Sequence, residues 1–262
     1  MNSTAANPLP RQRNLILGCL LVLAAAAWAL LVWQSAMADE KMVGLTMGLA
    51  APMFLTIWVA MMVAMMFPTA APMILMFHQG QAGRRQQGQP FVSTWVFVAA
   101  YLAVWTVFGA LAYVAATAGQ LLVESQNVSM DNVARLGGGV IAVAGLYQLS
   151  PLKYACLSKC RTPLSFVLTS WRDGIAGALR MGLVHGGYCL GCCWLLFVIL
   201  FPLGIMNVAA MAVITLLIFA EKSLPIGRGI GKVAALALIA CGVVVLLVPG
   251  VLPSLMPRVP GI

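Results

Sequence analysis

The chain is 262 residues long, 62% apolar and 8% charged, with a formal net charge of +9. A soluble fold of this size needs roughly 25% charge to cover itself in water, so this composition, with a mean hydropathy of +0.99, excludes a soluble enzyme, a nucleic-acid-binding module and a disordered chain. Lipid is the expected solvent, and sixteen Met and seven Cys against two His and six acidic residues make soft sulfur abundant and hard oxygen ligands scarce.

A membrane-crossing helix needs about 20 predominantly apolar residues. The sequence predicts seven, at about 14–34, 48–77, 91–118, 132–150, 178–203, 206–224 and 230–250, which makes an all-α polytopic bundle. No joint is long enough to separate domains, so residues 1–262 read as one integral membrane domain.

In the first predicted helix, Arg11 and Arg13 precede an apolar run and Ala36, Met37 and Ala38 follow it. That order imitates a secretory signal with a small-x-small cleavage site, but the run is about 18–20 residues against the usual 7–15. A retained anchor is favoured, and cleavage is the alternative.

The second helix holds Met61, Met62, Met65 and Met66 within six residues, followed by Pro68 and Pro72. At 100° per residue, Trp58, Met61, Met62 and Met65 share one face. Met is also a flexible filler that packs well on aromatic rings, so packing is the competing reading. The two prolines free backbone carbonyls and predict a kink. His78 closes this helix as an interfacial residue, and the joint from His78 to Pro90 is rich in Gly, Gln and Pro, which stop the helical pattern.

After the third and fourth helices, the stretch from Pro151 to about Ile175 reads as amphipathic and interfacial. Cys156 and Cys160 lie four apart there beside Lys159 and Arg161, as a cytoplasmic metal-acceptance pair would. The fifth membrane helix then places Met181, His185, Cys189 and Cys192 within about 80° of one another, with Cys193 at the edge of the stripe. Imidazole and thiol groups one turn apart form a partial ligand set for a soft or borderline metal. The alternative is that the cysteines pack as small hydrophobes, with Gly182, Gly186, Gly187 and Gly191 permitting close helix approach. The sixth helix adds Asn207 and Met211 near one end and Glu221 and Lys222 near the other. Glu221 is expected to pair with Lys222 or with a neighbouring Arg, as an anchor at the interface.

Lys and Arg at alternate joints set the expected orientation, because basic residues resist translocation. Arg11, Arg13, Arg84, Arg85, Lys153, Lys159, Arg161, Arg172, Arg180, Lys222, Arg228 and Lys232 fall on one side, twelve of the fifteen. Lys41, Arg135 and Arg258 fall on the other, with Asp39, Glu40, Glu124 and Asp131. The amino terminus is therefore expected inside and the carboxyl terminus outside.

Helix two is centred near Met62 and helix five near Gly191, so both sulfur clusters are expected near the bilayer midplane. Thioether, thiolate and imidazole donors without a carboxylate favour Cu(I) over Zn(II), and strongly over Mg(II) or Ca(II). Haem is disfavoured, since His78 and His185 stand on the order of 10 Å apart along the normal.

The run from Trp58 to Pro68 with Pro72, the segment from Gly187 through Cys189, Cys192 and Cys193 to Trp194, the Met206–Asn207 pair and the Glu221–Lys222 pair resemble a bacterial family of predicted metal-binding integral membrane proteins, numbered 2182 among domains of unknown function. The resemblance covers roughly residues 50–245. It implies a polytopic inner-membrane protein with a metal site, and no reaction. The functional expectation is a membrane protein that holds or moves Cu(I) through Met61, Met62, Met65, His185, Cys189, Cys192 and Cys193, with Met66, Met181, Asn207, Met211, Glu221, Cys156 and Cys160 as further candidates. Its expected partners are the lipid bilayer and a metal chaperone or metalloprotein encoded elsewhere. A structural or assembly subunit and a redox carrier are the alternatives, and no catalytic constellation is present to make it an enzyme.

Overall fold

A computed structural model describes residues 8–37, 45–46 and 48–252, with side chains from Arg11 onward. Ala38, Asp39, Glu40, Lys41 and Arg258, used above for the cleavage signature and the charge bias, lie outside the described residues. Ten α-helices follow one another among the described residues, with no strand. They are α1 (Pro8–Met37), α2 (Ala51–Gln86), α3 (Thr94–Ser125), α4 (Met130–Gln148), α5 (Pro151–Arg161), α6 (Pro163–Ser170), α7 (Gly174–Val198), α8 (Leu200–Leu203), α9 (Val208–Ser223) and α10 (Gly227–Leu247).

The all-α expectation holds, but the arithmetic of spans differs from seven. Among the described residues, five segments are long and apolar enough to cross a membrane: α1, α2, α3, α7 with α8, and α10. The bent pair α4 and α5, at 62° to each other, makes a sixth if it is one span. At about 1.5 Å per residue, the 16 residues of α9 fall short of a hydrocarbon core of about 30 Å. Many large apolar side chains on the outer faces of the long helices are exposed, among them Val107, Leu111, Val114, Leu236 and Leu247.

The prolines of α2 are absorbed within one continuous helix. Pro68 has no N–H for the carbonyl four residues earlier, and the Trp28 indole of α1 donates to that carbonyl, on Ala64, at 3.0 Å. Two residues further, the Thr69 hydroxyl donates to the Met66 carbonyl at 3.0 Å. The Trp58 indole donates to the Trp105 carbonyl of α3 at 3.0 Å and lies against Gly109, where a Cβ would come within 2.4 Å of its ring.

Glycines set the other close contacts. On α7, a Cβ at Gly182 would meet the Phe97 carbonyl of α3 at 2.5 Å, and one at Gly186 would meet Val104 at 2.9 Å. One at Gly191 would meet the Cys156 sulfur of α5 at 2.7 Å, whereas Gly187 faces open space. Gly138 of α4 and Gly242 of α10 bring their backbones together in the same manner. The turn between α6 and α7 is closed by an Arg84–Asp173 ion pair at 2.6 Å, with the Trp171 indole donating to the same carboxylate oxygen at 3.0 Å.

Candidate functional site

The stripe expected on α7 is real and faces inward: Met181, His185, Cys189, Cys192 and Cys193 are all buried. Within the stripe, the Cys192 and Cys193 thiols both donate to the Cys189 carbonyl, at 3.2 and 2.7 Å, and their sulfurs lie 3.7 Å apart. All three cysteines are free thiols.

Four other helices converge on Cys189. Its sulfur lies 4.0 Å from the Met66 sulfur of α2 and 3.1 Å from the Tyr101 hydroxyl of α3. From α9, the Lys222 ammonium approaches the same sulfur at 3.1 Å and the Thr69 hydroxyl at 3.5 Å. Cys160 of α5 reaches the Cys189 and Cys192 thiols. The stretch expected to be interfacial thus sends a cysteine into the bundle.

Met66 is therefore the methionine whose sulfur meets a cysteine. Met61, Met62 and Met65 are each fully buried in the same core, and Met62 stands one turn from Met66 on its face. Met211 of α9 is fully buried as well. Asn207 instead caps α9: its side chain accepts from the Ala210 amide at 3.0 Å and donates to the Leu203 carbonyl at 3.1 Å. The exposed Asn207 is thereby accounted for as a helix cap.

His185 is stacked between rings, 5.6 Å from Tyr101, 6.0 Å from Phe97 and 5.6 Å from Phe166. Its Nδ1 is buried without a hydrogen-bond partner. A polar nitrogen so placed costs about 1–3 kcal/mol unless something satisfies it. His78 lies elsewhere, with Nδ1 3.2 Å from the Thr94 hydroxyl.

Glu221 does not pair with Lys222, as one sequence reading had it. Adjacent residues on a helix point about 100° apart, and here they serve different partners. Glu221 is held by Lys153 of α5, with Nζ 2.6 and 2.8 Å from its two carboxylate oxygens. Gln148, at the end of α4, donates to Glu221 at 3.2 Å and accepts from Lys153. Both charges are buried. Arg161 reaches the Glu221 backbone carbonyl at 2.9 Å and that of Leu224 at 2.8 Å. The carboxylate is thus committed to Lys153, and the groups around Cys189 are sulfur, hydroxyl and ammonium.

Lys153, Lys222, Tyr101 and Thr69 were not singled out as site residues in the sequence. The one available signal was Glu221, an acidic residue on an apolar helix that requires a cation from another element. Among the described residues, no three His, Cys, Asp or Glu side chains form a preformed metal-holding group. Any metal here would draw on few thiols, with thioether sulfur beside them, a donor set that suits a soft monovalent ion.

Residues 55–245 match the sequence model of a family, PpoB2, described as a copper chaperone. No curated protein and no solved structure matches the chain.

Proposed function

The chain belongs to the copper chaperone family, whose pattern occupies most of its length, and on that premise we propose that it holds Cu(I) in the membrane and passes it to a metalloprotein. The observation that carries this reading is the convergence on Cys189 of thiols from α5 and α7 with the Met66 thioether of α2. Cu(I) is the cargo, and soft thiolate and thioether donors select it over hard cations. Cys189 and Cys192 serve as the principal ligands, with Cys160 and Cys193 beside them and Met66 as the thioether.

His185 and Met181 stand one and two turns from Cys189 along α7. They give the ion donors at successive heights, as do Met61, Met62 and Met65 along α2. The protein lies in a bacterial inner membrane with its basic joints on the cytoplasmic side. There Cys156 and Cys160, on the short helix after the α4–α5 bend, are the first sulfurs an ion meets.

Metal content of the full chain, purified under reducing conditions and offered Cu(I), tests the reading. Wild type should retain copper, and Cys189→Ser and Cys192→Ser should each lose it. Copper retained equally by both variants would sink the site, and none retained by wild type would sink the function.

A further inference from the structure

The charges buried with the sulfur cluster do not cancel without it. Among the described residues, the buried Lys and acidic side chains are Lys153, Glu221 and Lys222. Lys153 and Glu221 neutralise each other. The ion pairs among the described residues are that one and Arg84–Asp173, so Lys222 has no carboxylate partner. Its ammonium rests on the Cys189 sulfur at 3.1 Å and the Thr69 hydroxyl at 3.5 Å. A buried ammonium without a counter-charge is unfavourable, and of the two groups it touches the Cys189 sulfur is the one able to carry negative charge.

The geometry points to Lys222 as the residue that selects the charge of the bound metal: a fixed cation that leaves a two-thiolate site short of one positive charge rather than two. This inference rests on the copper reading and specifies how the same site discriminates. Cys189 and Cys192 bind as thiolates, their protons leaving to solvent as two metal–sulfur bonds form, and copper stays Cu(I) throughout. Two thiolates and one ammonium sum to a single negative charge. Cu(I) makes the assembly neutral, whereas Zn(II) leaves it with a net positive charge in a medium of low dielectric, where unbalanced charge is expensive.

A third thiolate would reverse that count; the Cys160 and Cys193 thiols lie beside the pair, yet no three such side chains among the described residues form a preformed metal-holding group, and structural Zn(II) sites take four protein ligands. A fixed positive charge is what the role requires, and the Thr69 hydroxyl lies 3.5 Å from the ammonium that supplies it.

The test uses the full chain in detergent under reducing conditions. Cu(I) affinity is measured against a chromophoric Cu(I) chelator and Zn(II) affinity against a chromophoric zinc chelator, in wild type, Lys222→Met and Lys222→Arg. Lys222→Met removes the charge at similar length, and a thermal melt of each variant verifies folding. Because the charge that distinguishes the two metals is then gone, the Cu(I)-to-Zn(II) affinity ratio should fall at least about tenfold in Lys222→Met and stay near wild type in Lys222→Arg. An unchanged ratio in Lys222→Met, or equal losses for both metals, overturns the charge role while leaving the copper reading intact. A ratio that falls in Lys222→Arg as far as in Lys222→Met also overturns it. If wild type binds no Cu(I), the copper reading fails and takes this inference with it.

Discussion

Lys153 of α5 and Glu221 of α9 form a buried ion pair, with Nζ 2.6 Å from one carboxylate oxygen. The pair fastens the segment after the α4–α5 bend to the helix that carries Lys222, and so fixes two of the elements that meet at Cys189. Breaking a buried pair from one side leaves an uncompensated charge, which costs about 3–5 kcal/mol. Glu221→Gln and Lys153→Met should each lower the unfolding free energy by about that amount. The double variant Lys153→Met with Glu221→Gln should recover most of the loss. Detergent-phase unfolding of the four proteins as a double-mutant cycle gives the answer, and additive single losses would refute the pairing.

Helix α2 continues through two internal prolines, and the carbonyl that Pro68 frees, on Ala64, is served by the Trp28 indole. Trp28→Phe keeps the ring but removes the donor to the buried Ala64 carbonyl. The variant should be less stable by about 1–3 kcal/mol, the cost of an unsatisfied buried acceptor. Thermal unfolding of Trp28→Phe beside wild type measures it.

The glycines of α7 should separate by what they face. Gly182→Ala drives a methyl into the Phe97 carbonyl of α3, a backbone atom that cannot swing aside, and should cost about 1–3 kcal/mol. Gly187→Ala meets nothing and should be neutral or stabilising by up to about 1 kcal/mol through helix propensity. Equal effects of the two changes in a melting experiment would contradict the α3–α7 packing.

His185→Phe should fit the ring stack formed by Phe97, Tyr101 and Phe166 and remove the unsatisfied Nδ1. Stability should hold or rise while Cu(I) affinity falls severalfold, because a donor on the α7 ladder is lost. Unaltered Cu(I) affinity in a chelator competition would make His185 a packing residue.

Much of this was legible in the chain because helical periodicity reports which residues share a face. Met181, His185, Cys189 and Cys192 follow spacings of four, four and three, and all of them are buried as that pattern predicts. Periodicity does not report which face meets which. The Met61, Met62 and Met65 stripe is in the core as expected, yet the sulfur against Cys189 is that of Met66, because the rotation of α2 is set by Trp58 on Gly109 and Trp28 on Ala64. Lys153 read as an interfacial lysine because the segment around it is basic. Its burial depends on Glu221, 68 residues away in sequence, and no local pattern carries that pairing. The described helices depart from the expected spans where the chain bends after Gln148 and where α9 stops after 16 residues, since hydropathy registers composition more readily than the point at which a helix ends.

X-ray absorption at the copper edge of the Cu(I)-loaded full chain tests the central claim most directly. The account predicts a Cu(I) edge with a first shell dominated by sulfur, lost in Cys189→Ser with Cys192→Ser. A shell of nitrogen and oxygen alone, or a sulfur shell unchanged in that double variant, would contradict it.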